Sequence, residues 1–225
     1  TLSSSSAASD VYKRQSITQP LRWLLHIVID ETYRWSCEIS AKEKAIVTIQ
    51  NVVATATLKQ HLDLDTIVRL LPGTQYRPEE FPGLVFRLRK PKTATLIFSS
   101  GKMVCTGARS ARQARGAVAT ILNELKRNGI VIVGRPDVQV QNIVASGGLG
   151  GSIDLDKTIY SLKKTMYEPE QFPGLIYRMD EPKVVMLLFA SGNFVCTGAK
   201  NEEEVHRAVT KLQETLENKE LISYE

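Results

Sequence analysis

The chain has 225 residues, 43% of them hydrophobic and 24% charged, and its 29 Lys/Arg against 24 Asp/Glu leave a formal net charge of +5. A chain of that length buries a good core unaided, and its three cysteines cannot form a disulfide framework. None of its three histidines (His26, His61, His206) lies at metal-ligand spacing from a cysteine, so neither a zinc site nor a cofactor is expected.

Residues 1–45 match no other part of the chain. The serine-rich stretch 1–9 is expected to be a disordered tail or a cloning or sequencing remnant. The apolar run LRWLLHIVI at 21–29 falls far short of the ~20 residues that span a bilayer, and no small-residue cleavage site follows it. This head is read as lying outside the functional domain.

From Ala45 the sequence AIVTIQNVVATATL is β-branched and alternating, which predicts a long strand. Asp63 and Asp65 are placed to cap a short helix, DLDTIVRLL, which Pro72-Gly73 ends. Strands are predicted at 84–87, 93–98 and 102–106, joined by turns at Lys90-Pro91-Lys92 and Ser99-Ser100-Gly101. A longer helix is predicted from about 111 to 126, its apolar positions on one face, with Asn128-Gly129 as the stop.

The chain then begins again. FPGLVFRLRKPKTATLIFSSGKMVCTGAR, from Phe81, returns as FPGLIYRMDEPKVVMLLFASGNFVCTGAK, from Phe172, an offset of 172 − 81 = 91 residues. The same offset links Gln50-Asn51 to Gln141-Asn142 and Asp63-Leu64-Asp65 to Asp154-Leu155-Asp156. Two copies of so long a unit are not a solenoid. They predict one α+β body with pseudo-two-fold symmetry, from residues 46–136 and 137–225, each giving about five antiparallel strands with two helices on one side. Its natural target is itself nearly two-fold symmetric, as duplex DNA is.

The copies differ in charge. Residues 46–136 hold 14 Lys/Arg and 5 Asp/Glu, a net of +9, whereas 137–225 hold 9 and 14, a net of −5. The first suits a polyanion and the second a basic protein partner. Cys105 and Cys196 are equivalent and sit in apolar runs, as small buried residues of a reducing compartment do.

The strands are apolar on both faces. Leu96, Phe98, Val104 and Thr106 share one, while Ile97, Met103 and Cys105 share the other, and helices cover only one. The uncovered face carries Asn51, Val53 and Thr55, and in the second copy Asn142, Val144 and Ser146. Such a face is a binding surface. Its aliphatic, amide and hydroxyl groups suit the minor groove of A·T-rich DNA, which offers acceptors and no guanine amine. A lone strand phenylalanine is ordinarily core; four at symmetric positions, two of them before Pro-Gly, point instead to wedges between base steps.

These residues resemble the TATA-box-binding protein family over nearly everything beyond the head. The resemblance rests on QN followed by V-A at Asn51 and Asn142, FPGL at Phe81 and Phe172, and PK…F-x-S-G…V-C-T-G-A in both copies. FPG in both copies and EPEQFPG from Glu168 are closer to the archaeal branch, which implies a place at the nucleoid in the cytoplasm; a eukaryotic source would imply the nucleus. The family implies a curved ten-stranded antiparallel saddle with four helices on its convex back. Wedging and bending DNA is established for that family rather than a new reading.

Carried over by position, the resemblance implies intercalating pairs Phe81 with Phe98 and Phe172 with Phe189. Asn51, Asn142, Thr106 and Thr197 would make the central hydrogen bonds. Val53, Val104, Val144 and Val195 would form the floor, flanked by Leu96 and Leu187. Arg87, Arg178, Ser100, Ser191 and Lys102 would meet backbone or sugar, and Glu168, Glu170 and Gln171 would form the stirrup gripped by transcription factor B, bringing RNA polymerase indirectly. Free molecules would be able to pair through their concave faces. Two departures stand out: Asn193 answers Lys102, and Asp180-Glu181 answers Arg89-Lys90, which would weaken affinity and salt dependence at the second-copy end.

No nucleophile-and-base constellation and no phosphate-binding glycine loop is present, so an enzyme is not expected. The alternative is the same saddle turned to RNA or a protein partner, since fold does not fix function.

Overall fold

The computed structural model describes residues 45–224. The expectations for the head (residues 1–9 and 21–29, with His26 and Cys37) lie outside the described residues, as does Glu225.

In chain order the first copy comprises β1 (Ile46–Thr57), α1 (Leu64–Leu70), β2 (Gln75–Arg77), β3 (Phe81–Arg89), β4 (Lys92–Phe98), β5 (Lys102–Ala108) and α2 (Ala111–Arg127). The second comprises β6 (Asp137–Gly148), β7 (Ser152–Ile153), α3 (Leu155–Ser161), β8 (Thr165–Met166), β9 (Leu175–Arg178), β10 (Val185–Leu188), β11 (Asn193–Ala199), α4 (Glu202–Asn218) and β12 (Ile222–Ser223). Each helix starts where a short polar side chain satisfies free N–H groups. Asp63 accepts from the backbone of Asp65 and Thr66, Asp154 from Lys157, Ser110 from Gln113, and Asn201 from Glu204. Those hydrogen bonds hold the Asp63 and Asp154 carboxyls below the ordinary aspartate range; for Asp63 the largest contribution is the Thr66 hydroxyl, for Asp154 the Lys157 N–H.

Ten strands form one antiparallel sheet in the order β2-β3-β4-β5-β1-β6-β11-β10-β9-β8. The order is a palindrome about the β1–β6 ladder, as two copies of one unit joined at their first strands must give. The sheet is open, with β2 and β8 at its edges, and has the saddle form that the resemblance implies.

The strands' period of two sends Val52, Ala54, Ala56, Ile97, Met103 and Cys105 into a core with α1 and α2, all of them buried. The second copy does the same with Ile143, Ala145, Met186, Leu188 and Cys196 beneath α4. The helices supply matching stripes, Ala114, Ala117, Val118, Ile121 and Leu125 in α2 and Val205, Ala208, Val209, Leu212 and Leu216 in α4. At ~25 cal/mol per Å² of apolar surface removed from water, these stripes hold the helices to the sheet. Among the described residues they also leave the opposite sheet face without a helix.

Two features depart from equal copies. β12 and β7 form a separate two-stranded sheet. In the first copy the corresponding chain at 131–133 is held by one side chain instead: Gln60 Nε2 donates to the Val131 carbonyl (2.8 Å) and its Oε1 accepts from the Val133 N–H (2.6 Å). In addition, β9 and β10 have 4 residues each where β3 and β4 have 9 and 7. The shorter hairpin is still closed by the Met179 N–H donating to the Val184 carbonyl (2.9 Å).

Candidate nucleic-acid interface

Residues opposite one another in an antiparallel ladder share a face. Leu96 lies opposite Val104, which lies opposite Thr55; Leu187 lies opposite Val195, which lies opposite Ser146. At the centre Asn51 faces Val144, Val53 faces Asn142, and Val144 also faces Thr197. The predicted valines, leucines, asparagines and threonines therefore form one continuous floor on the face opposite the described helices.

The two asparagines are held in a fixed orientation. Asn51 Oδ1 accepts from the Gly107 N–H at 2.8 Å, and Asn51 Nδ2 lies 3.1 Å from Thr106 Oγ1. Asn142 Oδ1 accepts from the Gly198 N–H at 2.7 Å, with Nδ2 3.2 Å from Thr197 Oγ1. The backbone makes room for this with a register shift in each ladder, where Gly107 (φ 90°) and Gly198 (φ 105°) take a conformation that L side chains rarely adopt. Because the glycine N–H occupies the amide oxygen, each NH₂ lies on the other side, where it donates one hydrogen to the neighbouring threonine hydroxyl and keeps the second to donate. The centre of the floor is thus a pair of donors set among aliphatic side chains.

The four phenylalanines meet in two pairs. Phe81 and Phe98 meet edge to face at 5.8 Å between ring centroids, and Phe172 and Phe189 at 6.0 Å. Phe81 is 41% exposed, a large apolar side chain left in water at one end of the floor. The glycine of each FPG step makes the pairing possible: a Cβ on Gly83 would lie 2.5 Å from Phe81 Cε1 and 3.1 Å from Phe98 Cε1. Gly174 stands in the same relation to Phe172 (2.5 Å) and Phe189 (3.1 Å).

The floor is less even than the repeat implies. Val144, Leu187 and Val195 are 2%, 6% and 4% exposed, whereas Val53, Leu96 and Val104 are half-buried. Ile176 packs opposite Leu187 where Val85 packs opposite Leu96, and Val185 stands where the first copy has Ala94. Arg87, Arg178, Ser100, Ser191 and Lys102 are all exposed, with Arg87 and Arg178 opposite Ala94 and Val185 of the floor face.

Two residues of this face were not singled out from the sequence. Gln50 Nε2 donates to Ser146 Oγ and Gln141 Nε2 to Thr55 Oγ1, both at 2.8 Å, so each glutamine crosses the central ladder onto the floor. Both sit at register shifts of that ladder, which alternation alone does not reveal. Their recurrence beside Asn51 and Asn142 was the available sign.

The loop bearing Glu168, Glu170 and Gln171 is tied by the Gln171 and Phe172 N–H groups donating to the Glu168 carbonyl. Its three side chains are exposed. In the first copy Arg77 stands in place of Glu168 and pairs with Glu80 at 3.1 Å, so the two loops carry opposite charge at that position. Behind the floor, burial raises the Cys105 thiol and pushes Cys196 up to about 12, leaving both neutral. Among the described residues no three His, Cys, Asp or Glu side chains are grouped to hold a metal.

The profile of the family described as "Transcription factor TFIID (or TATA-binding protein, TBP)" matches residues 46–128 and 137–219, the two halves of the palindrome. The TATA-box-binding protein of Sulfurisphaera tokodaii is 55% identical over 173 residues, 77% of this chain and 87% of that relative. That of Pyrodictium occultum is 56% identical over 173 residues, with the same shares of 77% and 87%. Among solved structures, Methanococcus jannaschii TBP superposes with a TM-score of 0.72 at 46% identity, over 76% of this chain and 98% of that one. With its repeat, its open ten-stranded sheet and its profile all in agreement, the chain belongs to the TATA-box-binding protein family.

Proposed function

We propose that the chain recognises an A·T-rich promoter element through the minor groove, bends it, and docks transcription factor B to recruit RNA polymerase. Membership in a family of non-enzymatic DNA-binding transcription factors supports this. The observation that carries it is the fixed pair of asparagine amides. The floor of an A·T minor groove offers only the acceptors adenine N3 and thymine O2, so outward NH₂ groups match it. Around them, aliphatic side chains exclude water and would clash with a guanine amine.

In this reading the phenylalanine pairs enter the steps at the two ends of the element. Unstacking costs a few kcal/mol per step, offset by the protein surface that bent DNA covers. Arg87, Arg178, Ser100, Ser191 and Lys102 set register on the sugar-phosphate backbone without reading sequence. The acidic loop Glu168–Glu170–Gln171 receives a basic surface of transcription factor B.

The test is a FRET bending titration on a TATA duplex, beside a scrambled duplex and a Phe172→Ala/Phe189→Ala variant. A sharp bend that needs both the A·T element and the phenylalanines is expected. Equal binding to the scrambled duplex would remove the promoter reading and turn the search to RNA or protein ligands.

A further inference from the structure

Lys164 lies between α3 and β8 and has φ 61°, a left-handed conformation that a β-carbon disfavours. At the offset of 91 residues the first copy has Gly73 in the same region (φ 98°), with nothing within 4 Å of where its Cβ would be. Glycine takes this backbone without strain. The second copy therefore holds a lysine against its local preference, which points to a task for the side chain.

That side chain is engaged. Lys164 Nζ forms an ion pair with Asp180, and the Lys164 carbonyl accepts from the Arg178 N–H at 3.1 Å. Thr165 lies opposite Tyr177 in the β8–β9 ladder, so Lys164 and Arg178 are the next positions outward, on the floor face. Met179 is buried between exposed Arg178 and Asp180, so those two side chains share that face as well. Two residues of extended chain span roughly 7 Å, within the reach of an arginine. Among the described residues Arg178 nevertheless has no carboxylate partner, because Asp180 is paired with Lys164. The side chains of that pair are 56% and 77% exposed, and so open an ion pair contributes little stability to set against the strain. The first copy lacks both members: Gly73 stands for Lys164 and Arg89 for Asp180.

We propose that Lys164 is a positioning residue for DNA binding: it holds the Asp180 carboxylate, so that the Arg178 guanidinium stays free for the sugar-phosphate backbone. The inference rests on the groove-binding reading above. Without the lysine, Asp180 is left beside Arg178 on one face, and an arginine–carboxylate pair there draws the guanidinium away from the duplex. The first copy needs no such device, because Arg87 and Arg89 occupy the matching positions.

The test is a fluorescence titration of the full chain on TATA and scrambled duplexes across a salt series, with melting as the control for folding. Lys164→Gly, which copies the first copy, is expected to keep the melting temperature within a few degrees. Its TATA affinity should fall roughly three- to tenfold, and the slope of log K against log[salt] should shrink by about 1. Adding Asp180→Ala should restore both, and Lys164→Arg, which keeps the pair, should behave as the native chain does. In an Arg178→Ala background Lys164→Gly should lose most of its effect. Unchanged affinity and slope in Lys164→Gly overturn the proposal, and a large loss of melting temperature overturns it by making the lysine a structural residue. Failure of Asp180→Ala to restore binding would put Lys164 on the phosphates itself, and an undiminished effect without Arg178 would mean that the lysine only screens Asp180 from DNA; either result overturns it as well. A native chain that binds neither duplex would instead remove the groove-binding reading, and this inference with it.

Discussion

Val52 and Ile143 lie directly opposite each other across the β1–β6 ladder, and they are the same position of the two copies (143 − 52 = 91). The pseudo-dyad therefore passes between these two side chains. On either side of it Asn51 faces Val144 and Val53 faces Asn142, so the donors and the floor valines exchange under the rotation. A nearly two-fold floor on a nearly two-fold groove orients poorly. The chain alone is expected to sit on a symmetric TATA box in both directions with comparable occupancy. A Glu79→Cys variant in a Cys37→Ser background, carrying a tethered cleavage reagent on the exposed first-copy loop, measures this, because the Cys105 and Cys196 thiols are buried and neutral. Cuts on both flanks are expected, with transcription factor B reducing them to one. Cleavage of a single flank by the protein alone would mean that the floor itself supplies polarity.

Asn51→Asp separates the two jobs of the central amide. A carboxylate still accepts the Gly107 N–H, so the bulge survives, but the donor beside Thr106 becomes an acceptor facing acceptors. One such mismatch costs on the order of 1–3 kcal/mol. TATA affinity is expected to fall roughly tenfold to a hundredfold. The check is a fluorescence titration on TATA and G·C-substituted duplexes, with melting as the control for folding. Unaltered preference for A·T would remove the asparagines from sequence reading.

Much of this was legible in the sequence because the copies corroborate each other. Alternation placed Ile97, Met103 and Cys105 inward and Leu96, Val104 and Thr106 outward, and the structure has them so. What the pattern could not carry was anything set by a bulge or by space. Gln50 and Gln141 reach the floor because the ladder slips by one residue beside them, a geometry with no signature in alternation. The unequal burial of Val144 and Val53 has no counterpart in the pattern, and the β7–β12 pairing rests on a short contact between distant parts of the chain. The family resemblance named the phenylalanine pairs, but only coordinates give the glycine beneath each.

That glycine yields a prediction about positioning. Gly174→Ala places a methyl where Phe172 Cε1 now lies 2.5 Å away, so the ring must move off its partner Phe189. Phe172 is only half-buried and has solvent to move into, so folding stability is expected to change little. The bend measured by FRET should decrease at the second-copy end while the melting temperature stays within a few degrees. A full bend in the variant would mean that the wedge ring does not need its free-state position.

The ends of β5 and β11 make the last asymmetry measurable. Lys102 begins β5 and Asn193 begins β11, at equivalent positions and both exposed. If Lys102 meets a phosphate, its cation releases about one counterion, and Lys102→Asn should reduce the slope of log K against log[salt] by about 1. The reciprocal change, Asn193→Lys, should steepen the slope by a similar amount and tighten binding at low salt. Both effects should be the same on TATA and scrambled duplexes, because phosphate contacts carry no sequence information. A slope that moved in neither variant would place both strand ends off the backbone, and a change confined to the TATA duplex would assign Lys102 to the bases instead.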